Sequence, residues 1–404
     1  MQVRVVGGGP AGLAAALSVV HLGCIPASNV TVFEQRQEPT RSNVILLSEV
    51  AVQRLKILGI DCIKSGIGNM TQLVLKGDSS GQESEAALIE FGGHLDLTYT
   101  QSTQLLLDSP IKSTAADIID AQSNGKGIVG VTLGDLERAL KLRVKELGIT
   151  ITQQCVLGLV QTTKDKYALD LGTGTVIESD LIVLAEGASR SIATISLNLK
   201  SIPVSSKEHW ARVHMQPNVG ATVGVVFSNV NGTVQKRLLL GDPVQNRYTQ
   251  LMLQIPAPFN HTGLENMLCG TEHELSAHNN KDPLIQQQAR KFLNEISAVV
   301  PSINNLTVES IAPRSFVVQD SYLERVFVEN VAIVGDTARS GHFLTGVGTA
   351  LAIVSDCDAL LKLVESYKLL EAVNEGGEEF EVSIQSASRL LFAHNKEKWF
   401  APEF

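Results

Sequence analysis

The chain has 404 residues, of which 44% are hydrophobic and 19% charged, a composition typical of a globular protein with about two to three domains. Its net charge of −9, without a dense basic block, argues against general nucleic-acid binding. Apolar stretches too short to span a bilayer, and five scattered cysteines without metal-ligand spacing, predict a cytoplasmic protein with free thiols, no membrane span and no metal site.

The first predicted element is a buried strand that turns directly into a helix. A mostly apolar run from Gln2 to Val6 leads into GGGPAG, in which Gly7, Gly9 and Gly12 have the spacing GxGxxG. In such a turn the first glycine allows the bend, the second lets a phosphate approach the backbone, and the third lets helix and strand pack closely. Because free N–H groups at a helix N-terminus attract anions, the pattern predicts a pyrophosphate site. A glycine-rich turn in an ordinary α/β protein is the alternative.

The second predicted strand, from Val30 to Phe33, ends in Glu34, which lies 22 positions beyond Gly12. A carboxylate at that spacing is placed to bind the two hydroxyls of an adenosine ribose. Together, the glycine turn and this acid predict a protein that binds a dinucleotide.

Residues 50–148 alternate between clear helices and an irregular stretch. Apolar periodicity predicts one helix around 50–58 and a second at 136–147. The stretch 64–128 is rich in Ser, Gly and Asp, and we interpret it as an insertion or small sub-domain with long loops. Within it, only residues 86–91 predict a strand.

The rest of the chain predicts a sheet enclosed by two further apolar strands. These two strands end in Glu186-Gly187 and Gly335-Asp336, and mainly antiparallel alternation lies between them. The predicted elements are strands at 155–161, 166–171, 176–178, 181–185 and 331–334, antiparallel strands within 203–256, and helices at 283–300, 347–365 and 378–391. We expect an α/β protein with a discontinuous dinucleotide-binding domain, 1–200 and 305–404, and a substrate-binding sheet domain at 201–304.

Three strand ends carry a family resemblance: GGGPAG with its downstream acid, DLIVLAEGASR, and VAIVGDTARSGHFLTGVGTALAIVSD. In this order they resemble the group A FAD-dependent monooxygenases, which have the phenol hydroxylase-like fold. That family has GxGxxG with an acid, then a DG motif, then GD followed by a glycine-rich turn into a long helix. The resemblance implies a Rossmann-like FAD-binding domain of the GR2 type, an inserted, mainly antiparallel substrate sheet and C-terminal helices.

The resemblance also implies that FAD binds where the three strand ends meet. Asp336 could accept hydrogen bonds from FAD hydroxyls, although a helix N-cap or turn is its alternative role. Gly346 and Gly348 would let a helix N-terminus approach the isoalloxazine ring and favour negative charge there. Arg41 matches a position near the flavin, or is an exposed loop arginine. The expected cofactor-binding residues are Gly7, Gly9, Pro10, Ala11, Gly12, Glu34, Gln35, Arg36, Arg41, Glu186, Gly187, Gly335, Asp336, Gly346, Val347 and Gly348.

His342 and Phe343 are the candidate catalytic residues, because they lie in the glycine-rich turn that the resemblance places beside the flavin. His342 could position the substrate or relay a proton, or it could be a turn histidine bonded to the backbone. Phe343, with Trp210 and Phe227, could line an apolar substrate pocket or belong to the core.

The sequence departs from the family pattern at Glu186, where the family has Asp, at Phe343, where it has proline, and at Leu133, where it often has arginine. In addition, GDTAR replaces the usual GD-Ala-Ala-His. FAD binding is still expected, but these departures argue against ordinary phenol hydroxylation. The stretches RSNVILLSEVAVQRLKILG and VTLGDLERAL are similar to monooxygenase domains of the MICAL type.

The resemblance implies an enzyme that uses NADPH or NADH and O2 to hydroxylate or epoxidise a small aromatic, polyketide-like or terpenoid-like substrate through a flavin hydroperoxide. Since the sequence has no second GxGxxG, the nicotinamide donor would visit the flavin transiently. A flavin reductase or oxidase is an alternative, as is a halogenase, although the halogenase signature WxWxIP is absent. A nucleotide-binding interaction protein without turnover is the non-enzyme alternative. The sequence does not indicate an oligomeric state.

Overall fold

A computed structural model gives the fold of the chain. It describes residues 1–39, 41–77, 85, 87–90, 95, 97, 115–123, 128–172, 174–216, 218–230, 233–244, 249–255, 307–343, 346–369 and 373–398. The helix expected at 283–300 lies outside these residues.

The structure contains 22 strands within the described residues. In chain order they are β1 (Val3–Val6), β2 (Val30–Phe33), β3 (Val44–Leu47), β4 (Gly68–Asn69), β5 (Gln72–Lys76), β6 (Ala87–Glu90), β7 (Val129–Thr132), β8 (Thr150–Thr152), β9 (Gly158–Thr163), β10 (Lys166–Asp170), β11 (Val176–Ile177), β12 (Leu181–Leu184), β13 (Ser201–Pro203), β14 (Glu208–Gln216), β15 (Thr222–Val230), β16 (Thr233–Gly241), β17 (Thr249–Ile255), β18 (Thr307–Val318), β19 (Ser321–Leu323), β20 (Phe327–Val328), β21 (Val331–Ile333) and β22 (Arg339–Ser340).

The α-helices follow the predicted pattern, with two additions. In chain order the helices are α1 (Pro10–His21), α2 (Glu49–Ile57), α3 (Ala115–Ser123), α4 (Leu133–Glu146), α5 (Ser191–Ile195), α6 (Val347–Leu351), α7 (Cys357–Leu369) and α8 (Val373–Lys398). The additions are α3 and α5, and α3 lies in the stretch for which the sequence indicated long loops. No helix in the described part of the chain is both long and apolar enough to cross a bilayer.

A parallel sheet with strand order β20-β21-β12-β1-β2-β8 forms the centre of the first core, and only its edge strand β20 is antiparallel. Val3 pairs with Val30 on one side and with Leu181 on the other. These strands are short apolar runs because helices cover both faces of such a sheet. Since parallel strands end at the same edge, the order brings Gly7, Glu34 and the two acid–glycine pairs together, confirming the α/β prediction.

A seven-stranded sheet with order β18-β14-β17-β16-β15-β5-β6 forms the second layer. Strands β14 to β17 pair antiparallel, as the alternation at 203–256 predicted. The sheet also takes β5 and β6 from the stretch 64–128, with β5 parallel to β15, and β18 from beyond residue 304. The sheet therefore extends past the expected boundaries at 201 and 304.

One face of this sheet packs towards the parallel-sheet unit. Trp210, Val225 and Met252 form a buried cluster on that face, with Val44 and the partly buried Phe343 packed against it. The turn that carries His342 and Phe343 is thus in direct contact with the sheet.

The helix expected at 347–365 is interrupted by one π-helical segment, Ala352–Asp356, between α6 and α7. Single π turns inside helices are rare, and those that occur often lie at functional sites. Here, the π segment carries the buried Asp356 carboxylate, which contacts the third strand end.

Candidate functional site

A cavity of about 470 Å³ lies at the carboxyl edge of the parallel sheet, where the three strand ends meet. Most of the expected cofactor residues line it: Gly7, Gly9, Pro10, Ala11, Glu34, Gln35, Arg36, Arg41, Glu186, Gly187, Asp336 and Gly348. Gly12, Gly335, Gly346 and Val347 are not part of the lining, and neither are His342 and Phe343.

The glycine turn has the geometry that each of its three spaced positions requires. Gly7 has φ +108°, and a Cβ there would overlap the Ala185 carbonyl oxygen. A Cβ at Gly12 would overlap the Gly7 carbonyl oxygen, so this glycine sets how closely α1 approaches β1. At Gly9 the nearest atom to an added Cβ is the Glu137 Oε1 at 3.8 Å, which leaves the backbone open towards the cavity.

Helix α1 begins beside this open backbone with Gly9 as its N-cap and Pro10 in its first turn. No side chain caps it, and its first turn contains no acidic residue. The N–H groups of the first turn of a helix have no partner within the helix, so this end favours an anion. The cavity wall thus provides an anion-binding helix end at the first strand.

Glu34 lies at the end of β2 and accepts hydrogen bonds from the Gly8 N–H at 2.8 Å and from the Arg36 N–H at 2.8 Å. The Arg36 guanidinium also donates to it at 3.1 Å. Burial opposes ionisation, but these hydrogen bonds from Arg36 and Gly8 outweigh it and lower the pKa of Glu34. The ionised carboxylate is a suitable acceptor for ribose hydroxyls.

Sequence reasoning missed Gly8 and Glu137. A Cβ at Gly8 would come within 2.9 Å of the Glu34 side chain, so glycine there lets this acid reach the turn. Glu137 on α4 is 1% exposed, and its Oε1 lies 3.8 Å from Arg36 Nη2 and 3.6 Å from Arg41 Nη1. The signals were the middle glycine of GGG and an acid beside the apolar stripe of α4.

The two arginines supply positive charge in the cavity wall close to Leu133, where the resembling family often has arginine. The buried Glu137 carboxylate lies against both and fixes where their guanidinium groups stand. Arg41 is also tied through its carbonyl oxygen, which accepts the Gly134 N–H at 2.9 Å. A diphosphate entering the cavity would therefore find cations despite the departure at Leu133.

Glu186 at the second strand end faces the cavity, but its carboxylate also caps α5. It accepts hydrogen bonds from Ser191 Oγ at 2.9 Å, from the Ile192 N–H at 2.9 Å and from the Ala193 N–H at 3.0 Å. The longer side chain that replaces aspartate thus reaches a helix N-terminus, which stabilises its negative charge. The neighbouring Gly187 N–H donates to Thr337 Oγ1 at 2.9 Å and joins the second strand end to the third.

Asp336 is exposed to the cavity although it lies deep within the protein. Burial raises the pKa of its carboxyl, while the charges of Arg41, Arg190 and Arg339 act in the opposite direction. The short helix at Gly335–Thr337 has Val334 as its N-cap and no side-chain cap. The capping alternative is therefore not seen, and the carboxyl faces the space where a ligand hydroxyl would lie.

Arg339 stands where the resembling family has histidine, and it forms a buried pair with Asp356. Its Nη2 donates to Asp356 Oδ1 at 2.7 Å, with the two side chains 2% and 0% exposed. The Gly335 N–H donates to the other oxygen of Asp356 at 2.8 Å. Asp356 therefore fixes both sides of the turn that carries Asp336, a contact that the sequence did not indicate.

His342 and Phe343 lie in the interface with the large sheet. His342 is 2% exposed, and its Nε2 lies 3.0 Å from Glu208 Oε2. Trp210 packs edge-on against both rings, with centroid distances of 5.5 Å to His342 and 4.8 Å to Phe343. The side-chain partner of His342 is thus a carboxylate, and the catalytic role of both residues stays a prediction.

The family follows from a match of the FAD binding domain to residues 1–375. The chain belongs to the FAD binding domain family. It is an FAD-dependent oxidoreductase, as the three strand ends indicated. No curated protein matches this flavoprotein by sequence.

Solved structures share the fold of the flavoprotein over almost its whole length. The tetrameric form of 2-methyl-3-hydroxypyridine-5-carboxylic acid oxygenase covers 100% of this chain and 93% of its own, with 18% identity and a TM-score of 0.64. PqsL from Pseudomonas aeruginosa covers 97% and 94%, with 15% identity and a TM-score of 0.66. CmlS, a flavin-dependent halogenase, covers 98% and 63%, with 14% identity and a TM-score of 0.66. The expected group A monooxygenase fold is confirmed.

The residues of the cavity fit FAD. Gly9 leaves the backbone open beside the uncapped helix α1, and ionised Glu34 lies at the neighbouring strand end. Helix α6 is a second uncapped N-terminus, with Gly346 at φ +62° as its N-cap, and it places Gly348 in the cavity wall. No group of three or more metal-binding side chains occurs among the described residues.

Proposed function

We propose that this flavoprotein is a monooxygenase that uses NADPH or NADH and O2 to hydroxylate or epoxidise a small organic substrate. One observation carries the proposal: a single cavity is lined by all three strand ends and by α6. Such a cavity can hold the adenosine and pyrophosphate of FAD near β1 and β2 and direct the rest of the molecule towards α6 and the large sheet. A cytoplasmic location belongs to the same proposal and is supported by the free thiols of the four described cysteines.

The chain would contribute binding, orientation and exclusion of water. Bound FAD supplies hydride acceptance and oxygen activation. Glu34 would hold the ribose, Arg36 and Arg41 the pyrophosphate, and Asp336 a hydroxyl further along. The positive end of α6 would favour negative charge on the ring. The buried sheet face around Trp210 would keep water from the reacting atoms.

The position of Arg212 supports the proposal that the substrate is acidic. It is 6% exposed and lies two residues after Trp210 on β14, so both side chains belong to the same face of the sheet, which packs towards the cavity-bearing unit. One neighbour is an oxygenase of a pyridine carboxylic acid, and PqsL was solved with 2-aminobenzoylacetate. We therefore propose an aromatic substrate with a carboxylate, which an arginine is well suited to bind.

The test is a stopped-flow measurement of FAD reduction by NADPH and NADH with matched pairs of aromatic acids and their amides. We expect an acid to accelerate FAD reduction and to gain one oxygen atom from 18O2, detected by mass spectrometry. Arg212→Met should raise the KM for the acid more than Arg212→Lys, because lysine keeps the charge. Equal responses to acids and amides would contradict the acidic substrate but not the oxygenase.

Two alternatives give different products. A halogenase is favoured by the likeness to CmlS, but the sequence lacks WxWxIP, and adding bromide to the assay would reveal a brominated product. A reductase or oxidase would yield a reduced alkene or hydrogen peroxide without an oxygenated product. A purified chain that stays colourless with excess FAD would contradict every enzyme hypothesis and favour the interaction protein.

A further inference from the structure

A buried charged cluster lies outside the cavity lining, between the large sheet and the turn after Asp336. Its members are Glu208 and Trp210 on β14, Lys236 on β16 and His342 in the turn. The side chains of Glu208, Lys236 and His342 are 8%, 5% and 0% exposed. The mechanism proposed above uses none of these groups as a ligand of FAD or substrate.

Glu208 is the centre of this cluster. Its Oε1 accepts a hydrogen bond from Lys236 Nζ at 2.7 Å, and its Oε2 accepts one from Trp210 Nε1 at 3.1 Å. The same Oε2 lies 3.0 Å from His342 Nε2. Burial alone would raise the pKa of Glu208, but the hydrogen bonds and charges of His342 and Lys236 hold that pKa at about 2. The carboxylate is therefore ionised and joins two strands to the turn.

The turn that Glu208 holds lies shortly before α6 in the chain, and α6 carries Gly348 of the cavity wall. His342 follows Arg339, which Asp356 fixes, and precedes Gly346, the N-cap of α6. Phe343 packs 4.8 Å from Trp210, so the aromatic contact reinforces the polar one. A change at Glu208 would therefore act on the turn four positions before the N-cap of α6.

We propose that Glu208 is a positioning residue that fixes the N-terminus of α6 relative to the large sheet through His342 and Trp210. This deepens and rests on the proposed function, because the flavin ring and the substrate would meet between these two elements. A buried ionic network adds little net stability compared with apolar packing, but it fixes one geometry, since each donor has a defined acceptor.

The experiment compares FAD-loaded wild type with Glu208→Ala and with the double variant Glu208→Gln/Lys236→Met. Removing only the carboxylate leaves the Lys236 charge buried and His342 without this acceptor. In the double variant the amide oxygen can still accept from Trp210 and His342, and the charges of Glu208 and Lys236 are both removed. Asp242→Asn is the matched control, because Asp242 is a buried acid that directly follows β16 and its side chain accepts the Val244 N–H at 3.1 Å.

The readouts are FAD affinity, the visible circular dichroism of the bound flavin and its rate of reduction by NADPH. We expect Glu208→Ala to keep its FAD affinity, to change the flavin dichroism and to lower the reduction rate by about tenfold to a hundredfold. The double variant should regain the wild-type dichroism and most of the rate. Asp242→Asn should alter only thermal stability.

A wild-type flavin spectrum and reduction rate in Glu208→Ala would overturn the proposal and leave Glu208 a structural residue. If Glu208→Ala does not fold, the double variant tests the proposal instead. A displaced flavin in the double variant also overturns the proposal. If the wild-type protein reduces FAD but oxygenates no substrate, the proposed function fails and the dichroism still tests Glu208. Should FAD not bind at all, Trp210 fluorescence in a Trp399→Phe background reports whether the double variant keeps the contact.

Discussion

At the scale of single residues, the cavity owes its chemistry to carboxylates whose hydrogen bonds are fixed by backbone N–H groups. Glu34 takes the Gly8 N–H, Glu186 takes two N–H groups of α5, and Asp356 takes the Gly335 N–H. Each contact fixes the position of a carboxylate at or beside a strand end, and Arg36 and Arg339 add a charged donor to Glu34 and to Asp356. Asp336, at the third strand end, also lines the cavity and is exposed to it.

Glu34→Arg should abolish FAD binding, because it replaces an acceptor of ribose hydroxyls by a cation and removes the acceptor of the Gly8 N–H. The loss should exceed about a hundredfold in affinity, measured by flavin fluorescence titration of the apoprotein. Glu38→Arg, with the same charge change at an exposed position, is the control and should bind FAD normally. Yellow protein of normal occupancy from Glu34→Arg would refute the role.

The low pKa of Glu208 predicts that the folded protein loses stability at acid pH. Its folded pKa of about 2 lies below its ordinary value of 4.5, so the folded state binds the proton less tightly than the unfolded chain. Its contribution, about 3 kcal/mol, is complete above pH 4.5 and is lost as the pH falls towards 2. Urea unfolding of the apoprotein across this range should show a shallower pH slope for Glu208→Gln than for wild type. Equal pH slopes for Glu208→Gln and wild type would contradict this contribution of Glu208 to stability.

At the scale of elements, glycines and buried pairs decide how closely helices approach strands. Gly7 and Gly12 permit the contact of α1 with β1 and β12, whereas Gly9 leaves space on the ligand side. At the other end of the cavity, the Arg339–Asp356 pair joins the turn after β21 to the π segment. The contact of α1 with β1 depends on residues close in sequence, whereas the approach to β12 depends on Gly7 and Ala185, which are far apart. The Arg339–Asp356 pair joins a turn to the following helix.

Substitutions at Gly12 and at Gly9 should affect protein stability and FAD binding separately. Gly12→Ala should lower the free energy of unfolding by several kcal/mol with or without FAD, because its Cβ overlaps the Gly7 carbonyl oxygen. Gly9→Ala should leave the stability of the apoprotein unchanged but weaken FAD binding, since its Cβ points into open space where a phosphate would approach. Thermal unfolding and FAD titration of both variants measure the two effects. Equal destabilisation by both would contradict this division.

At the scale of the whole molecule, two sheets built from distant segments meet at the turn that carries His342 and Phe343. The parallel sheet assembles strands from the beginning, middle and end of the chain, and the large sheet takes strands from both sides of residues 201–304. Cys155 lies on the cavity wall and is exposed, whereas Cys24 is exposed but is not part of the lining. Cys62 and Cys357 are buried, and burial raises the pKa of their thiols to about 11 and about 12.

These thiols test whether the cavity is where FAD binds. Iodoacetamide should label Cys24 and Cys155 in the apoprotein and spare Cys62 and Cys357, because reaction needs an accessible thiolate. FAD should protect Cys155 by about tenfold or more when it is near saturation, and should leave Cys24 unchanged. Peptide mass spectrometry with and without FAD measures both rates. Protection of both cysteines, or of neither, would contradict this location.

The sequence by itself determined the dinucleotide-binding unit, the antiparallel alternation of β14 to β17 and the acid at the end of β2. These features are local, because a tight turn, a strand period and an acid after a strand are set by residues close in sequence. The tertiary structure alone decided that β5 and β6 join the large sheet, that Glu137 supports the arginines, and that Glu208 holds His342. Those partners lie far apart in the chain, and which faces meet depends on how the two sheets pack together rather than on any local period.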